Sequence, residues 1–164
     1  VSRREATTAP HQPLWPPTDG AFRRSEMTAV LGRGDTTWQR AGSEVLRWAV
    51  KTRSGFSVSS PWPVVPGERL TVTATVLGLT VAEPVEVVAV VEQPERIGFS
   101  YRTRPGHPVR GEEAFIVHRD GDTVLITVRS LTRAASSQPW RALFPLLLVA
   151  QRIVRRRYLR ALRQ

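Results

Sequence analysis

A change of hydrophobic period constrains this chain more than any other feature. From Phe56 to Leu131 apolar residues recur at every second position, in runs broken by Pro, Gly and Asp, and beyond Pro139 they recur at every third or fourth. Period two places alternate side chains on opposite faces of a strand, and period 3.6 places them on one stripe of a helix. Residues 69–77 set Leu70, Val72, Ala74 and Val76 against Thr71, Thr73 and Thr75, the pattern of a strand buried on one side. Residues 81–92 form a second, valine-rich run, with Gln93, Pro94 and Glu95 as its turn. Residues 96–103 place Ile97, Phe99, Tyr101 and Thr103 on one face, and Glu113, Phe115 and Val117 repeat the alternation. Asp120, Gly121 and Asp122 then make a tight hairpin turn into residues 123–131, since Asp-Gly tolerates the positive φ that such turns need. A series of antiparallel strands followed by one long amphipathic helix implies an α+β layer arrangement, with the sheet curved around that helix.

The flanking segments are read the same way. Residues 1–19 carry Pro10, Pro13, Pro16 and Pro17 with little periodic hydrophobicity, and are expected to form a disordered tail. Trp15 is its one sticky residue, either docked or exposed. Residues 20–164 are expected to form a single domain. Its first clear element begins at Asp35, an N-cap candidate. From there Trp38, Ala41, Val45, Trp48 and Ala49 make the inner face of a helix, and Arg40, Glu44, Arg47 and Lys51 the other side. That helix should end between Thr52 and Gly55, followed by a short strand over residues 56–60. The last helix should run over residues 139–162, with Pro145 either near its start or at a kink. Leu147, Val154 and Tyr158 form its apolar stripe with Gln151 among them, opposite Arg152, Arg156 and Arg160.

Composition removes several classes of chemistry. The chain has no cysteine, which excludes disulfides and thiolate sites, and with only His11, His107 and His118 no metal site and no cofactor is expected. The formal charge is +10, and Lys51 is the only lysine. Arg152, Arg155, Arg156, Arg157, Arg160 and Arg163 cluster at the C-terminus. They read first as a solvated helix face and alternatively as a contact for an anionic surface. Nucleic acid is not the expected partner, because the aromatic interleaving of a single-strand binder is missing. No apolar run approaches the ~20 residues of a spanning helix, and residues 1–17 lack the apolar core of a secretion signal. A soluble cytoplasmic protein is the expectation.

Unusual residues concentrate in the stretch 98–115. His107, between Gly106 and Pro108, is either a general base at a pocket mouth or a loop residue bonded to a nearby carbonyl. Glu112 and Glu113 are neighbours on a strand and must point to opposite faces. If Glu113 is the inward one, it is a buried carboxylate needing a partner, and Arg102 or an arginine of the last helix is available. Gln151 and Tyr158 would project from the last helix toward the sheet, as Tyr101 would from its strand. The pair Trp38 and Trp48 reads as core, with a cavity lining as the other use of such rings.

Leu31-Gly32-Arg33-Gly34-Asp35, Gly98-Phe99-Ser100-Tyr101, Pro105-Gly106-His107-Pro108, Gly111-Glu112-Glu113-Ala114-Phe115 and Arg156-Arg157-Tyr158-Leu159 together resemble the family called domain of unknown function 1990. The chain departs from that family's usual pattern at Tyr101-Arg102-Thr103-Arg104, which puts two charges at the loop. The resemblance implies a START-like, helix-grip fold similar to the birch pollen allergen. An antiparallel sheet wraps a long C-terminal helix in that fold, often around an apolar cavity. It implies no particular activity, because such folds host binders and enzymes alike. The expected function is a binding module for a small hydrophobic ligand, contacted by Trp48, Phe99, Tyr101, Thr103, His107, Glu112, Glu113, Phe115, Gln151 and Tyr158. The alternatives are a small-molecule enzyme (hydrolase, isomerase or cyclase) using His107 with Glu112 or Glu113, and an interaction protein using the C-terminal arginines.

Overall fold

In the computed structural model, which describes residues 7–18, 20–60, 62–76 and 78–163, seven strands form one antiparallel sheet. In chain order the elements are β1 Arg23–Arg33, α1 Gly34–Val45, α2 Ala49–Thr52, β2 Phe56–Val58, β3 Arg69–Val76, β4 Leu79–Gln93, β5 Arg96–Thr103, β6 Val109–Asp120, β7 Thr123–Ala134 and α3 Trp140–Tyr158. The strand order is β1-β7-β6-β5-β4-β3-β2. The six strands β2 to β7 are thus a simple meander, each paired with its sequence neighbour. Asp120 opposite Thr123 confirms the two-residue Gly121-Asp122 hairpin. α3 lies across β6 and β7, giving the helix-grip arrangement. No helix among the described residues is long and apolar enough to cross a membrane.

One strand was not legible as an element. β1 pairs with β7 from Arg23 opposite Thr132 to Arg33 opposite Thr123, and of its side chains Ser25, Met27, Ala29 and Leu31 alternate as half-buried. One of those four is polar and another is alanine, so the alternation is faint, and the partner that stabilises the strand lies about a hundred residues away.

The core is aromatic. Trp48 packs edge-on against Phe99 at 4.7 Å between ring centroids, Phe99 against Phe115 at 5.8 Å, and Phe115 against Tyr158 of α3 at 5.1 Å. Such pairs add about 0.5–1.5 kcal/mol each to the burial of their area. The chain of rings therefore ties α3 to the sheet centre and, through Trp48, to the helical segment after β1.

Four expectations are corrected. Residues 7–18 are a strap on the outer face of the sheet, not a mobile tail: Trp15 and Ala9 pack on Leu131, and the buried Arg129 donates to the carbonyls of Thr8, Ala9, Gln12 and Pro13. Proline-rich backbone retains its carbonyl acceptors, and a single guanidinium with five donors can organise them. The helix beginning near Asp35 does not continue to Thr52; it ends at Val45, and Trp48 adopts φ 63°, left-handed backbone that turns its indole into the core before α2 starts. Asp35 does not cap α1, whose N-cap is Arg33; its carboxylate accepts from Arg119 at 2.9 Å. Finally, α3 runs from Trp140 to Tyr158, short of Leu162, with Pro145 inside it at the sixth position, where the ring has no N–H to give to the carbonyl four residues earlier.

Candidate functional site

The same strands that build the core also open a cavity, because their inward residues change character toward one end. On β7 the inward series Val124, Ile126, Val128 gives way to Ser130 and Thr132. On β6 Phe115 is followed inward by Glu113 and Gly111, on β5 Tyr101 by Thr103, on β4 Val85 by Glu83 and Val81, and on β3 Val72 by Ala74. Small and polar residues at positions that were large and apolar two steps earlier leave space between sheet and α3. The resulting cavity measures about 190 Å³. Its apolar wall comes from Phe56, Ala74, Val81, Pro108 and Val109 with Trp140, Leu147 and Val154 of α3.

At one wall stands a buried charged cluster around Lys51. Its ammonium donates to the Tyr158 hydroxyl at 2.6 Å, lies 3.7 Å from Glu113 and 4.0 Å from Glu83, and faces the rings of Phe56, Tyr101 and Tyr158 at 4.3–5.5 Å. The Tyr101 hydroxyl donates to the Glu113 carboxylate, its direct cross-strand neighbour. Lys51 is only 4% exposed, which overturns its assignment to the outer side of a helix. The break at Trp48 resets the helical phase, so that residue 51 faces inward. Glu113 is the inward glutamate, but its partner is Lys51, whereas Arg102 pairs with Glu86 at 2.5 Å.

Two carboxylates and one ammonium cannot all be mutually compensated. Burial, opposed by Lys51 but reinforced by the charge of Glu113, pushes the Glu83 carboxyl above its ordinary value. Burial and the neighbouring glutamates likewise raise both Tyr101 and Tyr158, so each keeps its phenolic proton. His107 is driven the other way. Burial, then the Lys51 ammonium, lowers its pKa to about 3, leaving a neutral imidazole whose Nδ1 accepts from the Val109 amide at 3.1 Å and whose Nε2 lies 3.8 Å from Glu83.

Of the ten residues expected at the site, Tyr101, Thr103, His107, Glu113, Gln151 and Tyr158 line the cavity, as does Glu112, whose carboxylate nevertheless lies on the outer face. Trp48, Phe99 and Phe115 are instead fully buried behind it, as its supporting layer. Glu112 is held by the strap: the amides and hydroxyls of Thr7 and Thr8 all donate to its carboxylate. His107 therefore faces Glu83, neither Glu112 nor Glu113. Glu83, Lys51, Ser130 and Thr132 also line the cavity and were not expected there from the sequence. For Glu83 a signal existed, a carboxylate in phase with Val81, Val85 and Val87 on a strand read as buried. Lys51 had none, since its orientation depends on the left-handed Trp48.

A seven-stranded antiparallel sheet gripping a C-terminal helix over such a cavity defines the class: a START-like, helix-grip protein. The chain belongs to the family described as domain of unknown function (DUF1990), whose model matches residues 4–161. A UPF0548 protein of Deinococcus radiodurans is 44% identical over 77 residues; the match takes in 46% of this chain and spans 38% of that relative's length. Among solved structures, a hypothetical protein of Helicobacter pylori superposes with TM-score 0.59 at 14% identity, covering 86% of this chain and 84% of that one. A protein of Thermus thermophilus gives 0.57 at 12% identity, covering 85% and 94%. The protein Ara h 8.0201 gives 0.52 at 13%, covering 86% and 98%. Likeness at these identities concerns the fold alone.

Proposed function

We propose that this chain is a binding module for a small hydrophobic ligand, seated in the cavity between the sheet and α3. The observation that carries the reading is the cavity itself. Its walls are mainly apolar, while a few fixed polar groups, chiefly Tyr101, Tyr158 and Glu113, converge at one end, the usual composition of a small-molecule site. Each buried methylene of a ligand contributes about 0.8 kcal/mol there. The test is calorimetric titration of the intact chain with 1-octanol, alongside the variant Ala74→Phe, which fills the cavity from β3. Binding by the unaltered chain with a negative heat-capacity change, reduced at least about tenfold in the variant, is the expected result. No uptake of octanol, or equal uptake by both proteins, would refute it.

A second reading is favoured by the outer side of α3. Leu146, Val149 and Ile153 are 67%, 54% and 53% exposed, Arg152 and Arg156 are exposed on the same helix, and α3 contains no carboxylate. An exposed apolar stripe flanked by arginines suits the interface of an anionic lipid bilayer. The chain should sediment with phosphatidylglycerol vesicles more than with phosphatidylcholine vesicles, less so at high salt, and Ile153→Glu should abolish it. Equal sedimentation with both lipids, or self-association that buries the stripe in solution, would count against this reading.

A further inference from the structure

Beside the cavity, on the flank of α3 that faces β1, lies a second depression of about 160 Å³. Arg23, Arg24 and Ser25 form one wall, and Leu148, Arg152 and Arg155 the other. Four arginines and no carboxylate thus line one space, three of them, Arg23, Arg152 and Arg155, with side chains on the α3 side of the sheet. Arg24 is partly committed, stacked 3.6 Å over Trp15 and donating to the carbonyls of Trp15 and Pro16. Arg155 donates to Ser130 Oγ at 3.1 Å and Gln151 Oε1 at 3.4 Å, but its Nε is buried with no hydrogen-bond partner. Among the described residues none of the four is in an ion pair.

Arg155 also lines the apolar cavity, so the two spaces share a wall. A guanidinium is permanently charged and offers a planar fork that matches phosphate or carboxylate oxygens. Gathering three without counter-charge is unfavourable by itself, and an anion arriving with several acceptor oxygens relieves it. Inside the cavity Lys51 already has Glu83 and Glu113, so an anion gains nothing by going there.

We infer that the ligand of this module is an amphiphile with a phosphate head: the head lies among Arg23, Arg152 and Arg155, and the apolar chain enters the cavity past Arg155. The inference rests on the binding reading proposed above. A phosphate monoester suits the site better than a carboxylate because it carries more than one negative charge and three terminal oxygens to set against several guanidinium groups. Free phosphate shares the head chemistry and lacks the chain.

Octyl phosphate, 1-octanol and inorganic phosphate, each titrated calorimetrically into the intact chain, separate these cases. Octyl phosphate should bind at least about tenfold more tightly than octanol, as charge-assisted hydrogen bonds allow, and more tightly than inorganic phosphate. The double variant Arg23→Gln/Arg152→Gln alters two exposed side chains that hold no part of the core, and should bring octyl phosphate down to the affinity of octanol. Octyl phosphate no tighter than octanol, or an advantage that survives the double variant, overturns the inference and leaves the cavity reading standing. Inorganic phosphate as tight as octyl phosphate overturns it in favour of a free-anion site. Binding of neither octanol nor octyl phosphate removes both readings together.

Discussion

Lys51 Nζ and the Tyr158 hydroxyl lie 2.6 Å apart, a buried hydrogen bond between the short helix after Trp48 and the last residue of the C-terminal helix. It holds α3 over the sheet at the point where the cavity begins, and it places an ammonium between two buried carboxylates.

Removing that ammonium should therefore be costly. Lys51→Met leaves Glu83 and Glu113 facing each other without compensation, and an unfolding titration in urea should show a loss of about 3–5 kcal/mol. Lys51→Met combined with Glu113→Gln should lose clearly less than the sum of the two single variants, because the second change removes one of the stranded charges. Strict additivity would contradict the placement of these groups in one cluster.

Acidification should act through His107. Its pKa is about 3 in the folded chain and near 6.5 when unfolded, so the unfolded state binds the proton first. Its contribution to stability is fully present above about pH 6.5 and is lost as pH falls toward 3, at up to about 1.4 kcal/mol per pH unit. Glu83 has the opposite sign: its raised value favours the folded state below the ordinary carboxyl range and loses that advantage as pH rises through its folded pKa. Unfolding free energies measured from pH 7 to pH 4 should fall with acid, and His107→Asn should flatten the slope. An unchanged slope in that variant would exclude His107 as its source.

The sheet and the grip of the last helix were legible because they depend on period-two alternation and on turn residues, both local properties. The hairpin at Gly121-Asp122 and the shared face of Phe99 and Tyr101 follow from spacing alone. Half of the charged cluster was not legible, for a physical reason. The inward turn of Lys51 depends on one left-handed residue, Trp48, whose conformation is imposed by packing against Phe99 and Tyr101. The strap failed in the same way. Its composition predicts disorder, and its order comes from Arg129 and Glu112, more than a hundred residues along the chain.

That dependence gives a third expectation. Arg129→Met should release residues 7–18, because it strands four carbonyls that the guanidinium now satisfies. Hydrogen exchange read by mass spectrometry should show the strap losing protection while the peptides of β5 and β6 keep theirs. A strap as protected as in the unaltered chain would show that Trp15 packing alone holds it.

Within β5 the close approach of strands at Gly98 sets a fourth. A Cβ there would stand 2.3 Å from the Phe115 carbonyl oxygen and 2.8 Å from Ile116 Cα, both backbone atoms that only a displaced strand could clear. Gly98→Ala should cost at least about 2 kcal/mol, in the range of overpacked cores, and lower the melting temperature accordingly. A neutral substitution would mean that β5 and β6 are not in the register that pairs Gly98 with Ile116.

The claim that the space under α3 receives a hydrophobic ligand is tested most directly by nuclear Overhauser contacts between 1-octanol and the isotope-labelled chain. Contacts from the alcohol's methylenes to the methyl groups of Val109, Leu147 and Val154, which line the cavity, are the predicted result. Contacts confined to Leu146, Val149 and Ile153 on the outer side of the same helix, or none at all, would contradict it.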